Sequence, residues 1–569
     1  MTEGLSIVHG SNSGALQTHT LATLLAEQAD QHGDHTALIS WTGTILTYNQ
    51  LHQRCIVLAR ALLAIGALPG DHIGIFAENC EVYVELTFAA AMIRATTVIL
   101  NTNYTPDELA NAIVAADCKW LFTSSHIGAR DLRPCLSRIE QALQHSENSV
   151  NQLQRIVLIR TKGESRHDSK LFLHFDEFVQ MSSRHHDAQL LHISREASPH
   201  DVCNMQFTSG TTGNPKAAML THYNIINNGT FSGDRMNLST CDIICSPPPL
   251  FHCFGLVLGV LASVTHASTL ILPSPTFSAS ATVDCVVKYH CTALHGVPTM
   301  MIAVLDEHTK RGSPPVKLRT GIVAGASVPA DVITRLQARF GYEEYINIYG
   351  MTESAPATFT LTTNDPLQSK LTSVGKILPH TSAKVVDVDG KVVARGVRGE
   401  LCVSGYMLQK GYYNNPAKTA EVMIEEEGTL WLHTGDEAIL DAEGYCYVTG
   451  RIKDMIIRAG ENIYPLEIEA HLMLHPDISI ASVVGLSDKH YGEVVAAFLV
   501  GCEGRSPLTD MEIQEFVRSS LARHKTPKHI FWVGESGCLS VLPMTASGKI
   551  QKNKLRDWGN LKLTAHTRL

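Results

Sequence analysis

The segment Thr208-Ser-Gly-Thr-Thr-Gly-Asn-Pro-Lys216, TSGTTGNPK, decides how the chain is read. It follows directly on an apolar, strand-like run from Val202 to Phe207. Thr208, Ser209, Thr211 and Thr212 offer hydroxyls, while Gly210 and Gly213 allow positive φ and close backbone approach. Asn214 and Pro215 turn the chain into Lys216, which adds a positive charge. Amides, hydroxyls and an ammonium group packed this densely can surround a polyphosphate. The pattern is not the P-loop of nucleoside triphosphatases, which needs G-x-x-x-x-G-K-[ST]. Here the two glycines stand too close and no Gly-Lys-Ser/Thr follows. A strand ending in a phosphate loop of another type is expected.

The surroundings of this loop alternate helical and strand patterns. Apolar spacing predicts helices over 21–30, 48–67 and 81–93, and buried strands over 72–75, 97–100, 120–122 and 155–159. Such alternation implies a layered α/β architecture. Residues 161–200 are polar and rich in His and Ser, and read as a connecting surface region. From Ala383 the texture changes to short Val-rich strands, with a hairpin signal at Asp389-Gly390, so a small β subdomain is expected over about 383–450. Beyond Arg451 helices are predicted over 465–475 and 510–524, and strands over 481–484 and 496–500. The division expected is a large α/β domain over 1–450, including the β subdomain, and a smaller mobile α+β lid over 451–569.

Composition narrows the function. At 569 residues and 44% hydrophobic, the chain has enough apolar material for a substantial core, which excludes a mainly disordered chain. The net charge of −9 argues against a nucleic-acid-coating or polybasic membrane protein. That charge is uneven, because the part from Arg451 onward carries +2. The 14 cysteines show no CxxC pairs, and Cys241 with Cys245 lacks a second pair to complete a zinc set, so free buried thiols in a reducing compartment are expected. No Lys or Arg precedes Arg54, which argues against secretory and mitochondrial leaders. The apolar run 254–272 reads as a buried helix followed by a strand rather than a transmembrane span.

Further motifs follow the loop in a fixed order: PPLFHCFG (248–255), VAGAS (323–327), NIYGMTES (347–354), HTGD (433–436), GRIKDMIIRAGENIYP (450–465) and PMTASGKI (543–550). Together with TSGTTGNPK they resemble the adenylate-forming superfamily of acyl-CoA and aryl-CoA synthetases, peptide-synthetase adenylation domains and beetle luciferases. The resemblance spans most of the chain. It implies that a carboxylic acid and ATP give acyl-AMP and pyrophosphate, and that CoA then takes the acyl group.

Site residues follow from the same resemblance. Glu353, a hard carboxylate beside Thr352, is similar to the family's Mg2+ glutamate. Asn347, Ile348, Tyr349, Gly350 and Met351 would meet adenine with an amide and an aromatic face, and Gly325 and Ala326 would form the opposite wall. Asp436 resembles the ribose-binding aspartate and Arg451 its partner, while His433 carries no inference of its own. His252 matches the histidine beside the acyl carboxylate. Lys549 matches the lysine that a closing lid brings to the forming bond, where it stabilises developing charge. Lys453 occupies the hinge position, and Ala459 and Gly460 lie in the loop that would line the arm of CoA.

The acyl pocket expected from the same alignment includes Phe251, His252, Val297, Gly325, Met351 and Ala355. Its small and apolar residues suit an aliphatic acid of medium length or a small hydroxylated one, and the overall cast resembles medium-chain synthetases and fungal acyl-CoA ligases. Three rival functions are an adenylation enzyme that loads a carrier protein, a luciferase-like oxygenase and a catalytically dead AMP-binding protein. The twenty residues after Lys549 are not expected to hold a carrier domain, which favours free CoA, and the catalytic positions are occupied. A cytoplasmic or peroxisomal location is expected, since Thr567-Arg568-Leu569 loosely resembles a peroxisomal address. Oligomeric state is not legible.

Overall fold

The computed structural model describes residues 4–144, 152–160, 171–208, 216–325, 328, 330–342, 344–502, 504–545 and 550–566. Two seven-stranded sheets form its centre. The first runs, in spatial order, through Phe172–His174, Arg155–Leu158, Cys118–Thr123, His72–Phe76, Thr96–Ile99, Val202–Thr208 and Lys216–Thr221. The second runs through Glu344–Ile346, Thr320–Ile322, Ala293–Leu294, Ile243–Cys245, Thr269–Leu272, Thr36–Ser40 and Ile45–Thr47. Each is parallel except for one edge pair, Val202–Thr208 with Lys216–Thr221 and Thr36–Ser40 with Ile45–Thr47. In a parallel sheet all strands point their carboxyl ends one way, and ligands sit outside those ends. Four of the sequence motifs begin there: TSGTTGNPK after 202–208, PPLFHCFG after 243–245, VAGAS after 320–322 and NIYG after 344–346.

Helix Glu81–Met92 is buried along its whole length. Ala89, Ala90 and Ala91 allow neighbouring backbone to approach, and the apolar residues join the largest core cluster. Helix Tyr48–Ala64 packs against it and is closed at its start by a reciprocal Thr47–Gln50 box.

The β subdomain is a six-stranded sheet of Ile7–His9, Thr381–Val386, Gly399–Gly405, Thr429–Leu440, Met423–Glu426 and Cys446–Arg451. Its expected limits at 383–450 therefore need correction, because an N-terminal strand pairs Ile7 with Lys384. A five-stranded sheet follows, built from Ile456–Arg458, Glu461–Ile463, Ile478–Asp488, Gly492–Gly501 and His529–Trp532. The chain is thus α/β, with a large N-terminal domain and a smaller C-terminal one.

Local expectations were met within a few residues, with three corrections. Residues 171–200, expected as surface connection, carry the strand Phe172–His174 and the helices Phe175–Gln180 and Asp187–Arg195. The helix expected over 510–524 stops at Arg518. The strands expected over 481–484 and 496–500 extend to Ile478–Asp488 and Gly492–Gly501, since a long antiparallel pairing holds residues whose own pattern is weak. The apolar run 254–272 forms a helix, wide-wound over Phe254–Leu261, and then the strand Thr269–Leu272. Among the described residues no helix is long and apolar enough to cross a membrane. All the cysteines are free, and Cys241 is the exposed one.

Candidate active site

The residues expected to meet a nucleotide are assembled from three elements. Asp436 and Arg451 are cross-strand partners in antiparallel register, so the sheet itself sets guanidinium against carboxylate, with Nε 3.1 Å from Oδ1. Tyr349, on the short strand Ile348–Gly350, donates its hydroxyl to the other oxygen, Oδ2, at 2.6 Å. Burial and the nearby Asp436 push the Tyr349 phenol well above its ordinary value, so it remains a donor. Asp436 also raises the Arg451 guanidinium. The turn before Asp436 is held from below. Glu400 Oε1 accepts from the Gly435 N–H at 3.0 Å, and Thr434 Oγ1 accepts from the Asp436 N–H at 3.1 Å. Asp436 is thus a buried carboxylate of fixed orientation, and a carboxylate held in this way can accept from the two hydroxyls of a ribose.

Glu353 sits in a single turn, Thr352–Ser354, and is 6% exposed. Its Oε1 accepts the hydroxyl of Tyr412 at 2.8 Å. The Tyr412 ring lies 5.0 Å from the ammonium of Lys216, a cation–π distance. Tyr412 was missed in the sequence. It arrives on a segment that pairs with the strand after the phosphate loop, through Met219 N–H to Gly411 O at 3.0 Å and Tyr413 N–H to Ala217 O at 2.9 Å. Such pairing across almost two hundred residues leaves no local mark. One aromatic residue therefore bridges the last residue of the phosphate loop and the buried carboxylate.

His252 follows the strand Ile243–Cys245. Its Nδ1 accepts from the Phe254 N–H at 3.2 Å, which leaves the ring proton on Nε2. Gly255 is required by close approach, because a Cβ there would lie 2.3 Å from the Pro249 carbonyl oxygen. Asn79 fixes the same loop, accepting from Leu250 N–H at 2.8 Å and donating to Pro248 O at 3.1 Å. Cys253 Sγ lies 3.8 Å from Thr352 Oγ1, which joins this loop to the Glu353 turn. A cavity of about 240 Å³ opens beside it, bordered by Phe251, Met300, Asn79, Thr102 and Glu78. Burial raises the Glu78 carboxyl above its ordinary value.

Of the expected acyl-pocket residues, Val297 and Ala355 belong to the main apolar core, and Phe251 and Met351 pack against it. Buried Asn228 pins the Ala355 loop, donating to Ala357 O at 2.8 Å and accepting from Ala357 N–H at 3.0 Å. His295, fully buried behind Phe254, is lowered by desolvation to about 4 and stays neutral. Gly325 is exposed with φ +90°. Asn347 is half-buried between the strands Glu344–Ile346 and Ile348–Gly350.

In the C-terminal domain, Ala459 and Gly460 form the two-residue turn between Ile456–Arg458 and Glu461–Ile463, with φ +52° and +84°. Both residues at positive φ define the hairpin turn that suits twisted strands. A Cβ on Gly460 would meet nothing within 4 Å, so the glycine answers to backbone geometry, and the space beside it is open. Lys453 is exposed on the segment linking the two domains. Ser209 to Pro215, Ala326, Lys549 and Thr567 to Leu569 lie outside the described residues.

Residues 25–413 match the model of the AMP-binding enzyme family, and residues 467–549 match its C-terminal domain. The chain is 47% identical to the acyl-CoA ligase sidI of Beauveria bassiana, over 100% of this chain and 96% of that one. It is 33% identical to the mitochondrial medium-chain acyl-CoA ligase ACSF2 of Mus musculus, over 97% and 90% respectively. Among solved structures, ATP-bound MatB from Rhodopseudomonas palustris superposes with a TM-score of 0.77 at 25% identity, covering 95% of this chain and 99% of that one.

Proposed function

The chain belongs to the AMP-binding enzyme family and is an AMP-forming acid–CoA ligase, and we propose that it acts on an aliphatic acid, of medium length or small and hydroxylated. It activates a carboxylic acid to acyl-AMP and transfers the acyl group to CoA. Two kinds of relative favour the substrate reading: a medium-chain acyl-CoA ligase, and fungal acyl-CoA ligases at higher identity. The apolar surroundings of Val297, Met351 and Ala355 agree with it.

In this reading the joint placement of Asp436, Arg451, Tyr349, Glu353 and Lys216 carries the assignment. Asp436 accepts from the ribose hydroxyls, and Tyr349 lies against the adenine. Residues 208–216 wrap the phosphates. Glu353 fits Mg2+, because it is a buried hard oxygen donor with one oxygen held by Tyr412 and the other left to serve as ligand. That ion, when bound, neutralises charge between phosphate oxygens. His252 orients the acid carboxylate from its Nε2 side. As the carboxylate attacks the α-phosphorus, the bond to pyrophosphate breaks, and Lys549 meets the charge that develops. The mixed anhydride then loses AMP when the CoA thiolate adds to its carbonyl carbon. We assign residues 1–450 to the body and 451–569 to a lid that turns about Lys453 and presents Lys549 for the first step and Gly460 for the second.

Measuring AMP release with a panel of C2 to C18, branched, hydroxylated and aromatic acids tests the substrate reading. Highest kcat/KM on a medium-length or small hydroxylated aliphatic acid is expected. Preference for an aromatic acid would overturn it.

A further inference from the structure

On the far side of the Asp436 turn, three side chains of different donor type converge. Glu400 and Cys402 stand two apart on the strand Gly399–Gly405 and so share one face of the sheet. His433 is the direct cross-strand partner of Cys402. His433 Nδ1 lies 2.9 Å from Glu400 Oε2 and 3.4 Å from Cys402 Sγ, and all three donor atoms fall within 4.8 Å of one another. We propose that Glu400, Cys402 and His433 form a binding site for a soft divalent cation of the Zn2+ class.

Four observations on these residues support the site. First, the spacing suits a small ion. Ligands of a tetrahedral zinc, at ~2.0–2.3 Å from the metal, stand roughly 3.3–3.8 Å apart. The sulfur–nitrogen distance already lies in that range, and the nitrogen–oxygen distance needs to open by only a few tenths of an ångström. Second, the donor set balances charge. A thiolate and a carboxylate neutralise the dication, and the imidazole is neutral. Third, Glu400 keeps its structural bond on the other oxygen, Oε1, which accepts from Gly435 N–H, so binding through Oε2 does not dismantle the turn. Fourth, His433 Nε2 is buried without a hydrogen-bond partner among the described residues, and Glu426 Oε1 stands 4.0 Å away, on the side from which a carboxylate holds the imidazole in many metal sites. Glu426 is itself held by Lys384.

The three ligands come from two neighbouring strands of one sheet, so little conformational freedom is lost on binding. Cys402 is fully buried and lies outside the set of residues assigned to the ligase chemistry. The thiol proton leaves to solvent as the metal binds. Because Glu400 and His433 both border Gly435 and Asp436, an ion here ties the ribose-facing turn to the neighbouring strand. This site is independent of the acid-substrate reading.

The test is titration of the full chain, free of chelator, with Co2+ and then Zn2+. One equivalent of Co2+ should produce a thiolate-to-cobalt charge-transfer band in the near ultraviolet, and Zn2+ should bleach it. Cys402→Ser should abolish the band. His433→Gln should weaken binding at least tenfold, with an unchanged far-ultraviolet circular dichroism spectrum. Zn2+ should also raise the thermal unfolding midpoint of the parent but not of His433→Gln. Absence of the band in the parent overturns the proposal. So does a folded His433→Gln or Cys402→Ser protein that binds Co2+ with the parent's affinity and spectrum, which would place the metal on other cysteines.

Discussion

At the scale of single residues, the site depends on side chains that hold other side chains. Tyr412 touches Glu353 with its hydroxyl and faces Lys216 with its ring. Hydrogen bonds to charged groups contribute about 1.5–3 kcal/mol. Tyr412→Phe, which keeps the ring and loses the donor, should therefore lower kcat/KM for MgATP by about tenfold to a hundredfold at a nearly unchanged unfolding temperature. Pyrophosphate release against MgATP concentration reads this out, and parental kinetics would show that the hydroxyl does not orient Glu353. Asp436→Ala should act differently, raising KM for ATP far more than it lowers kcat, if the ribose contact we assign to it is made in ground state and transition state alike. Steady-state kinetics with ATP varied separates the two. Asp436, Arg451 and Glu353 were legible because each lies inside a contiguous motif. Tyr412, Asn79 and Asn228 were not, because their partners are brought to them only by tertiary pairing, and an Asn or Tyr in a loop carries no pattern of its own.

At the scale of elements, helix Glu81–Met92 was easy to read as a helix, yet the consequence of its burial was not. Glu85 is inside the protein, reached by Arg54 Nε at 2.8 Å, and burial outweighs that partner, raising its carboxyl to about 7. A carboxyl raised above its unfolded value binds its proton more tightly in the folded chain. It contributes fully to stability below about pH 4.5 and loses that contribution as pH climbs through about 7. Thermal unfolding of Glu85→Gln and the parent should thus nearly coincide below pH 5, and the variant should unfold at the higher temperature above pH 7. Equal midpoints throughout would mean that the Glu85 carboxyl titrates alike in the folded and the unfolded chain, so that burial does not raise it. The strands expected over 72–75, 97–100, 120–122, 155–159 and 202–207 were placed within a residue or two because their β-branched and apolar runs are short and bounded by turns. Helix ends such as Arg518, and the elements within 171–200, were misplaced where polar composition concealed pairing and packing supplied by distant parts of the chain.

At the scale of the whole molecule, two residues of the smaller domain are assigned separate half-reactions, and this division can be measured. Lys549→Ala should reduce acyl-AMP formation to background while largely sparing thioester formation from supplied acyl-AMP. Gly460→Leu should leave adenylation near the parental rate and abolish transfer to CoA. The bulky residue would both fill the open space beside the turn and strain a backbone held at φ +84°. If both folded variants lose both steps alike, the two-faced lid is wrong.

The pairing of Ile7 with Lys384 also has a consequence for how the protein is made. At ~5–20 residues per second, the ribosome delivers the partner strand roughly 20–75 s after Ile7–His9. Until then the leading strand has no native neighbour, and the sheet that carries Asp436 lacks one border. The wall assigned to ribose is completed only once Arg451 has followed Asp436, about four-fifths of the way along the chain, so a bulky fusion at the amino end is expected to be felt at a site far away in sequence.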